Sequence, residues 1–214
     1  LLLQVVTLIC GFILPRVILQ TYGSEVNGLV NSISQFFAII GFLDLGVGVV
    51  VQSSLYEPLS RKDNIAISKI IKSGRGFFNK IALILMLYVI VLIFIFPPLV
   101  KEQGFDWLYT VTLLLAMCIS SFTQYYIGVV DRLLIVADQH GYIQYNTAII
   151  TTLLNTIASI LIIYLGGSIH LVKSVTSLIY LGRPVFIHFY VNKHYRIDYD
   201  VDISTEEPIK QKWN

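Results

Sequence analysis

Four ionisable side chains stand inside long apolar runs: Arg16, Asp44, Lys173 and Arg183. On insertion scales such a group costs roughly 2.5–3.5 kcal/mol at mid-membrane, so each is a functional-site hypothesis by default. Arg16 follows Pro15, which loosens the helix and frees a carbonyl. It reads either as a cation lining a cavity or as a side chain snorkelling to an interface about one turn away. Asp44 lies in Phe42-Leu43-Asp44-Leu45-Gly46-Val47-Gly48. It could carry a proton or sodium ion, or make a structural bond to a neighbouring helix that the glycines let approach. Lys173 and Arg183 share one broad helical face with Thr176, Ser177 and Tyr180. Such a face lines water or protein, not lipid. An anion-facing wall is the functional reading; snorkelling is the alternative for Lys173.

Uncharged polar residues recur at helical spacing in three other runs. Asn27, Asn31, Ser34 and Gln35 form one stripe, Ser120, Ser121, Gln124 and Gly128 a second, and Thr151, Thr152, Asn155 and Ser159 a third. The last two suit ordinary helix–helix contact. The first is richer in amides and suits a wet cavity equally well. Enzyme constellations are absent from the sequence. The histidines at 140, 170, 188 and 194 have no ligand spacing, and no Gly-rich phosphate loop or paired loop acids occur. The expectation is a non-enzyme with no cofactor and no metal. Cys10 and Cys118 lie in apolar runs and read as small buried hydrophobes.

The elements that carry these residues are membrane helices. Of 214 residues, 56% are hydrophobic and 13% charged, about half the charge of a soluble domain; the mean hydropathy is +0.74. That composition excludes a soluble enzyme, a disordered tail and a nucleic-acid-binding module, since 15 basic residues against 13 acids leave no phosphate-binding excess. The runs are too long for barrel strands, so the expected fold is an all-α polytopic membrane protein. Six spans are expected, at about 1–19, 28–52, 77–97, 107–130, 143–165 and 169–191, making a transmembrane lobe over 1–192. The segment 193–214 reads as a cytoplasmic linker. Breaks are expected at Thr21-Tyr22-Gly23-Ser24, Tyr56-Glu57-Pro58, Pro97-Pro98 and Gly166-Gly167. Residues 62–79, where isoleucines alternate with Lys69, Lys72 and Arg75, suit a surface helix in the interface or a basic loop. Eleven Lys and Arg fall in the loops after spans two, four and six, against Lys101 alone in the others. The expectation is therefore that both ends of the chain face the cytoplasm. Tyr22, Trp107 and Tyr109 fall at the opposite ends, as an aromatic belt would. The chain opens Leu1-Leu2-Leu3 inside an apolar run, with no basic stretch ahead of it and no small-residue cleavage site after it. A fragment of a longer protein is expected, and a signal peptide is not.

Several ordered strings carry a resemblance. They are Tyr22-Gly23-Ser24-Glu25-Val26-Asn27-Gly28-Leu29, Leu43-Asp44-Leu45-Gly46-Val47-Gly48, Leu55-Tyr56-Glu57-Pro58-Leu59, Tyr125-Tyr126-Ile127-Gly128, Ala137-Asp138-Gln139-His140-Gly141-Tyr142, Arg183-Pro184 and Lys193-His194-Tyr195. Together, over the whole chain, they resemble the polysaccharide exporters of the multidrug/oligosaccharidyl-lipid/polysaccharide (MATE-like) superfamily, closest to the O-antigen-type flippases of Gram-positive bacteria. The resemblance implies two six-helix lobes around a central cavity, of which this chain would be the first. It implies movement of undecaprenyl-pyrophosphate-linked oligosaccharide across the bacterial cytoplasmic membrane. The implied partners are that lipid, membrane lipids and the missing C-terminal lobe, with no nucleic acid. The basic cavity residues that would meet the pyrophosphate correspond here to Arg16, Arg183 and Lys173, with Asn31 and Gln35 as polar lining. Several such transporters have an acid, often glutamate, where Asp44 stands. A cation-coupled small-molecule exporter of the same superfamily, with Asp44 carrying the ion, is the alternative. A membrane enzyme would need an acid or histidine cluster on a loop, which the sequence lacks.

Overall fold

The computed structural model describes residues 1–41, 46–101, 104–198 and 200. The described chain is helical, with no strand among the described residues. Six helices follow one another: α1 (Leu2–Ile40), α2 (Val47–Arg61), α3 (Asn64–Val100), α4 (Trp107–Ala137), α5 (Gly141–Tyr164) and α6 (Ile169–His194). Four of them, α1, α3, α4 and α5, are long and apolar enough to cross a membrane. The protein is membrane-embedded on that ground. α6 carries Lys173, Arg183, Lys193 and three histidines and is not among the four. α2, with 15 residues, is too short to cross alone.

The six separate spans expected from hydropathy are therefore not the elements observed. Spans one and two merge into α1, whose backbone leaves helical geometry at Gly23 (φ 86°, ψ 172°). That positive φ is open to glycine at no steric cost. The two legs of α1 run in opposite directions. Leu1–Gln4 lie beside Tyr142 and Tyr145 at the start of α5, and Tyr22 donates to the Gly167 carbonyl just past its end. Beyond Gly23, Ser34 and Phe37 flank Thr176 and Tyr180 of α6, and Gly41 reaches the Tyr125 hydroxyl of α4. Span two does not persist as one helix. It ends at Ile40 and resumes at Val47, after Gly46 at φ 93°. Asp44 falls between these ends and lies outside the described residues.

Two further boundaries differ from expectation. Residues 64–79 are neither a separate surface helix nor a loop but the first turns of α3. The Asp63 carboxylate caps them, accepting from the Ile65 and Ala66 amides at 3.1 and 3.0 Å. Ile67, Ile70, Ile71, Gly74 and Phe78 form the buried stripe that packs this part of the helix inward. At Gly74 an added Cβ would touch Val51 of α2 and Val130 of α4 at 3.5 Å. Pro58 and Pro97-Pro98 also fail to stop their helices, which continue to Arg61 and Val100. The left-handed Lys62 (φ 56°) ends α2 instead.

α4 contains a single π turn at Gln124–Gly128. There it meets Pro184 of α6: a Cβ on Gly128 would lie 2.6 Å from the Pro184 Cβ. A rigid ring cannot swing aside, so Gly128→Ala is expected to destabilise by about 1–3 kcal/mol, as overpacking does. Gly76→Ala, where the new Cβ meets nothing within 4 Å, is expected to be neutral or mildly stabilising. Thermal unfolding of both variants in detergent checks this.

Candidate functional site

Lys173, Thr176, Ser177, Tyr180 and Arg183 recur every three or four residues along α6 and share one face. Opposite them α4 presents Ser120, Ser121 and Gln124. Two adjoining cavities open between the helices. One, of about 280 Å³, is lined by Ser34, Ser120, Ser121, Lys173, Thr176 and Tyr180 among others. The other, of about 260 Å³, is lined by Ser120, Ser121, Gln124, Tyr180 and Arg183. They share Ser120, Ser121 and Tyr180, so they form one polar cleft. Each part is roomy enough for several waters. The buried Ser177 hydroxyl donates to the Ala116 carbonyl at 2.5 Å and ties α6 to α4 beside the cleft.

α5 holds the cleft's cation from behind. Arg183 Nε and Nη2 donate to Thr151 Oγ1 at 3.3 and 3.0 Å. The Thr151 hydroxyl sends its own proton to the Thr147 or Ala148 carbonyl, which leaves its lone pairs for the guanidinium. The Arg183 guanidinium carbon lies 5.7 Å from the Tyr180 ring centre, within cation–π range. Asn155 Nδ2 donates to the Tyr180 hydroxyl at 3.3 Å. Thr151, Asn155 and Ser159 thus follow one another at four-residue spacing and bind α5 to the cleft-lining helix.

Of the residues singled out from sequence, Lys173 and Arg183 lie in this cleft. They are ten residues apart, about 15 Å along the helix axis. Arg16 does not join them: it is exposed on the first leg of α1. Asn31 and Gln35 are exposed on the second leg, and Ser34 of the same stripe is the one that lines the cleft. Neither Lys173 nor Arg183 has a carboxylate partner among the described residues. An anion is the chemical complement such a site lacks.

A second polar group was not expected from sequence. Asp131 of α4 is fully buried. Its Oδ1 accepts from Arg75 Nη2 of α3 at 2.7 Å, and its Oδ2 lies 2.6 Å from His188 Nδ1 of α6. Asn192, one turn further along α6, places Nδ2 3.0 Å from His188 Nε2. The cluster joins three helices. Arg75 reads from sequence as one more positive residue facing head groups or solvent, because its segment suits an interfacial helix or a basic loop. A lone aspartate flanked by valines and leucines, Val129-Val130-Asp131-Arg132-Leu133-Leu134, was the available signal.

Past α6 the chain crosses the ends of two helices. The Tyr195 hydroxyl donates to Asp138 Oδ2 at 2.6 Å, and the Asp198 amide donates to Ser68 Oγ at 3.0 Å. Burial first, and the hydrogen bond and charge of Asp138 next, raise the Tyr195 phenol well above its ordinary value. Residues 201–214 of the expected linker lie outside the described residues. Comparison of the chain with family models, with curated proteins and with solved structures returns no match.

Asp131→Ala would remove the buried carboxylate that bonds both Arg75 and His188, and a loss of about 3–5 kcal/mol is expected, as for breaking a buried pair from one side. Chemical unfolding in detergent reads it. A tyrosine whose folded value is raised contributes stability that is complete below its unfolded value, about pH 10, and that falls as pH rises beyond it. Thermal stability of the native chain is therefore expected to drop between about pH 10 and 11 more steeply than that of Tyr195→Phe.

Proposed function

We propose that this chain is one lobe of a two-lobe MATE-like transporter that moves undecaprenyl-pyrophosphate-linked oligosaccharide across a bacterial cytoplasmic membrane by alternating access. The observation that carries the reading is the cleft: two cations with hydroxyl and amide neighbours and no carboxylate partner among the described residues, inside a bundle of apolar helices. A lipid pyrophosphate needs a wet, cationic path through a core hostile to charge. It also needs apolar walls for its tail, and exposed faces such as Leu83, Leu87, Ile90 and Phe94 of α3 would supply them. The ordered strings resembling polysaccharide exporters support the same reading.

In this reading the reversal at Gly23 makes two crossings of α1. The second leg continues through α2, and α3, α4, α5 and α6 bring the number of crossings to six. The excess of Lys and Arg at one side sets both chain ends toward the cytoplasm. The second lobe supplies the opposite wall of the cavity, and rocking of the lobes exposes it to each leaflet in turn.

Lys173→Ala and Arg183→Ala, made in the full-length protein, are expected to lower surface polysaccharide export about ten- to hundredfold each, the rate equivalent of one charge-assisted hydrogen bond. Arg16→Ala, outside the cleft, is expected to change it by less than about threefold. Export at matched expression is the measurement. Unchanged export in both cleft variants overturns the reading.

A further inference from the structure

We propose that His188, held between Asp131 and Asn192, is a proton-binding site at the end of the polar seam beyond Pro184. Nothing in the transport reading requires it; it rests on the hydrogen-bond pattern alone.

The contacts suit one form of the ring. Asp131 accepts from Arg75 at one oxygen, and an ionised carboxylate is acceptor-only. At 2.6 Å from the other oxygen, His188 Nδ1 must therefore carry a proton and donate it. Arg75 Nη2, 3.4 Å from the same nitrogen, is then a close neighbour and not its donor. On the far side Asn192 Nδ2 donates to Nε2 at 3.0 Å, which requires a lone pair there. With the Asn192 amide in this orientation the ring that satisfies both contacts carries its one proton on Nδ1.

The same surroundings accept the charged ring. A proton from solvent adds to the Nε2 lone pair, and no other covalent bond forms or breaks. Nε2–H then needs an acceptor, and the Asn192 amide provides one by turning end for end to present Oδ1. Nδ1–H stays on Asp131 throughout. His188 thus keeps two hydrogen bonds in either state, and the aspartate gains a second positive neighbour. Among the described residues the charged groups against His188 are Asp131 of α4 and Arg75 of α3. α2 and α5 supply it no hydrogen-bond or ion-pair partner. Its side chain is 30% exposed while Asp131 is sealed, so the proton has a way in and its counter-charge does not leave. Histidine is also the side chain that changes charge between about pH 5 and 8.

The placement gives the proton an effect. His188 follows Arg183 by five residues, about 7.5 Å along α6, and Pro184 with its contact to Gly128 lies between them. Proton uptake adds one positive charge beside the Arg183 end of the cleft.

The test uses the full chain with 15N-labelled histidine in nanodiscs of zwitterionic phospholipid, with His188→Gln assigning one resonance pair among the four histidines. Nuclear magnetic resonance is expected to show Nδ1 protonated and Nε2 bare at about pH 8, and both protonated at about pH 5. A ring that stays neutral across that range, or whose neutral form carries its proton on Nε2, overturns the proposal. Asn192→Leu removes the turning amide and is expected to lower the protonated fraction at least severalfold at the native midpoint. An unchanged fraction in that variant, with its melting transition retained, overturns the role given to the amide.

Discussion

The approach of α4 to α6 at Gly128 and Pro184 is the contact on which the arrangement depends. Both helices depart from regular geometry at that level: α4 through its π turn, α6 through a proline that cannot donate to the carbonyl a turn earlier. In an apolar surrounding, backbone polar groups freed in this way must find partners inside the protein. The seam between the two helices is where polar side chains collect. On one side of the contact lie Ser120, Ser121, Gln124, Tyr180 and Arg183. On the other lie Asp131 and His188. A side chain at 128 would push the helices apart and separate both groups from their partners.

The two polar groups differ in how their charges are met. Around Asp131 the carboxylate has a cation on one oxygen and an imidazole on the other, and burial is complete. Such a cluster holds three helices in register, with both oxygens of its carboxylate engaged. Arg183 is met by a threonine hydroxyl and a tyrosine ring. Those contacts orient the guanidinium without neutralising it. Buried charge is tolerated when it is compensated; the first group is compensated by charge within the chain, the second by a hydroxyl and an aromatic ring alone among the described residues.

Much of the architecture was legible in hydropathy. Helices α5 and α6 begin and end within a few residues of expectation, because Gly141 and Gly166-Gly167 bracket them and their apolar runs are continuous. The reversal at Gly23 was legible as a turn, since only glycine is comfortable at φ 86°. The start of α3 was not. Lysines every few residues looked like a loop or an interfacial helix, while the isoleucines between them were the buried stripe. The prolines misled for the opposite reason: each stands within the last turn of its helix, so the bond it removes is followed by only two or three more helical residues. Of the site, the α6 face could be read from spacing. Which residues of other helices would face it could not, because Ser34 and Asn31 lie on one amide-rich stripe and only packing separates them. Asp131 was overlooked because its partners lie 56 and 57 residues away along the chain.

The depth of the ion cluster follows from helix length. α3 has 37 residues, about 55 Å, nearly twice a hydrocarbon core of roughly 30 Å. Its uncharged stretch is 81–100, and that stretch alone matches the core. With 81–100 filling the core, Arg75 stands about 9 Å outside the hydrocarbon edge; its bond to Asp131 puts that carboxylate at the same level, and His188 follows through Asp131. A buried carboxylate at the border needs far less compensation than one at mid-membrane, and water reaches the half-exposed imidazole beside it. Arg183 stands about 7.5 Å further in, at the border itself, and Lys173 about 15 Å deeper again. The cations of α6 are therefore spread along the membrane normal, with the paired cluster at one end. Charge is thus answered by charge at one end of the seam, and only by a hydroxyl and an aromatic ring at Arg183 further along it.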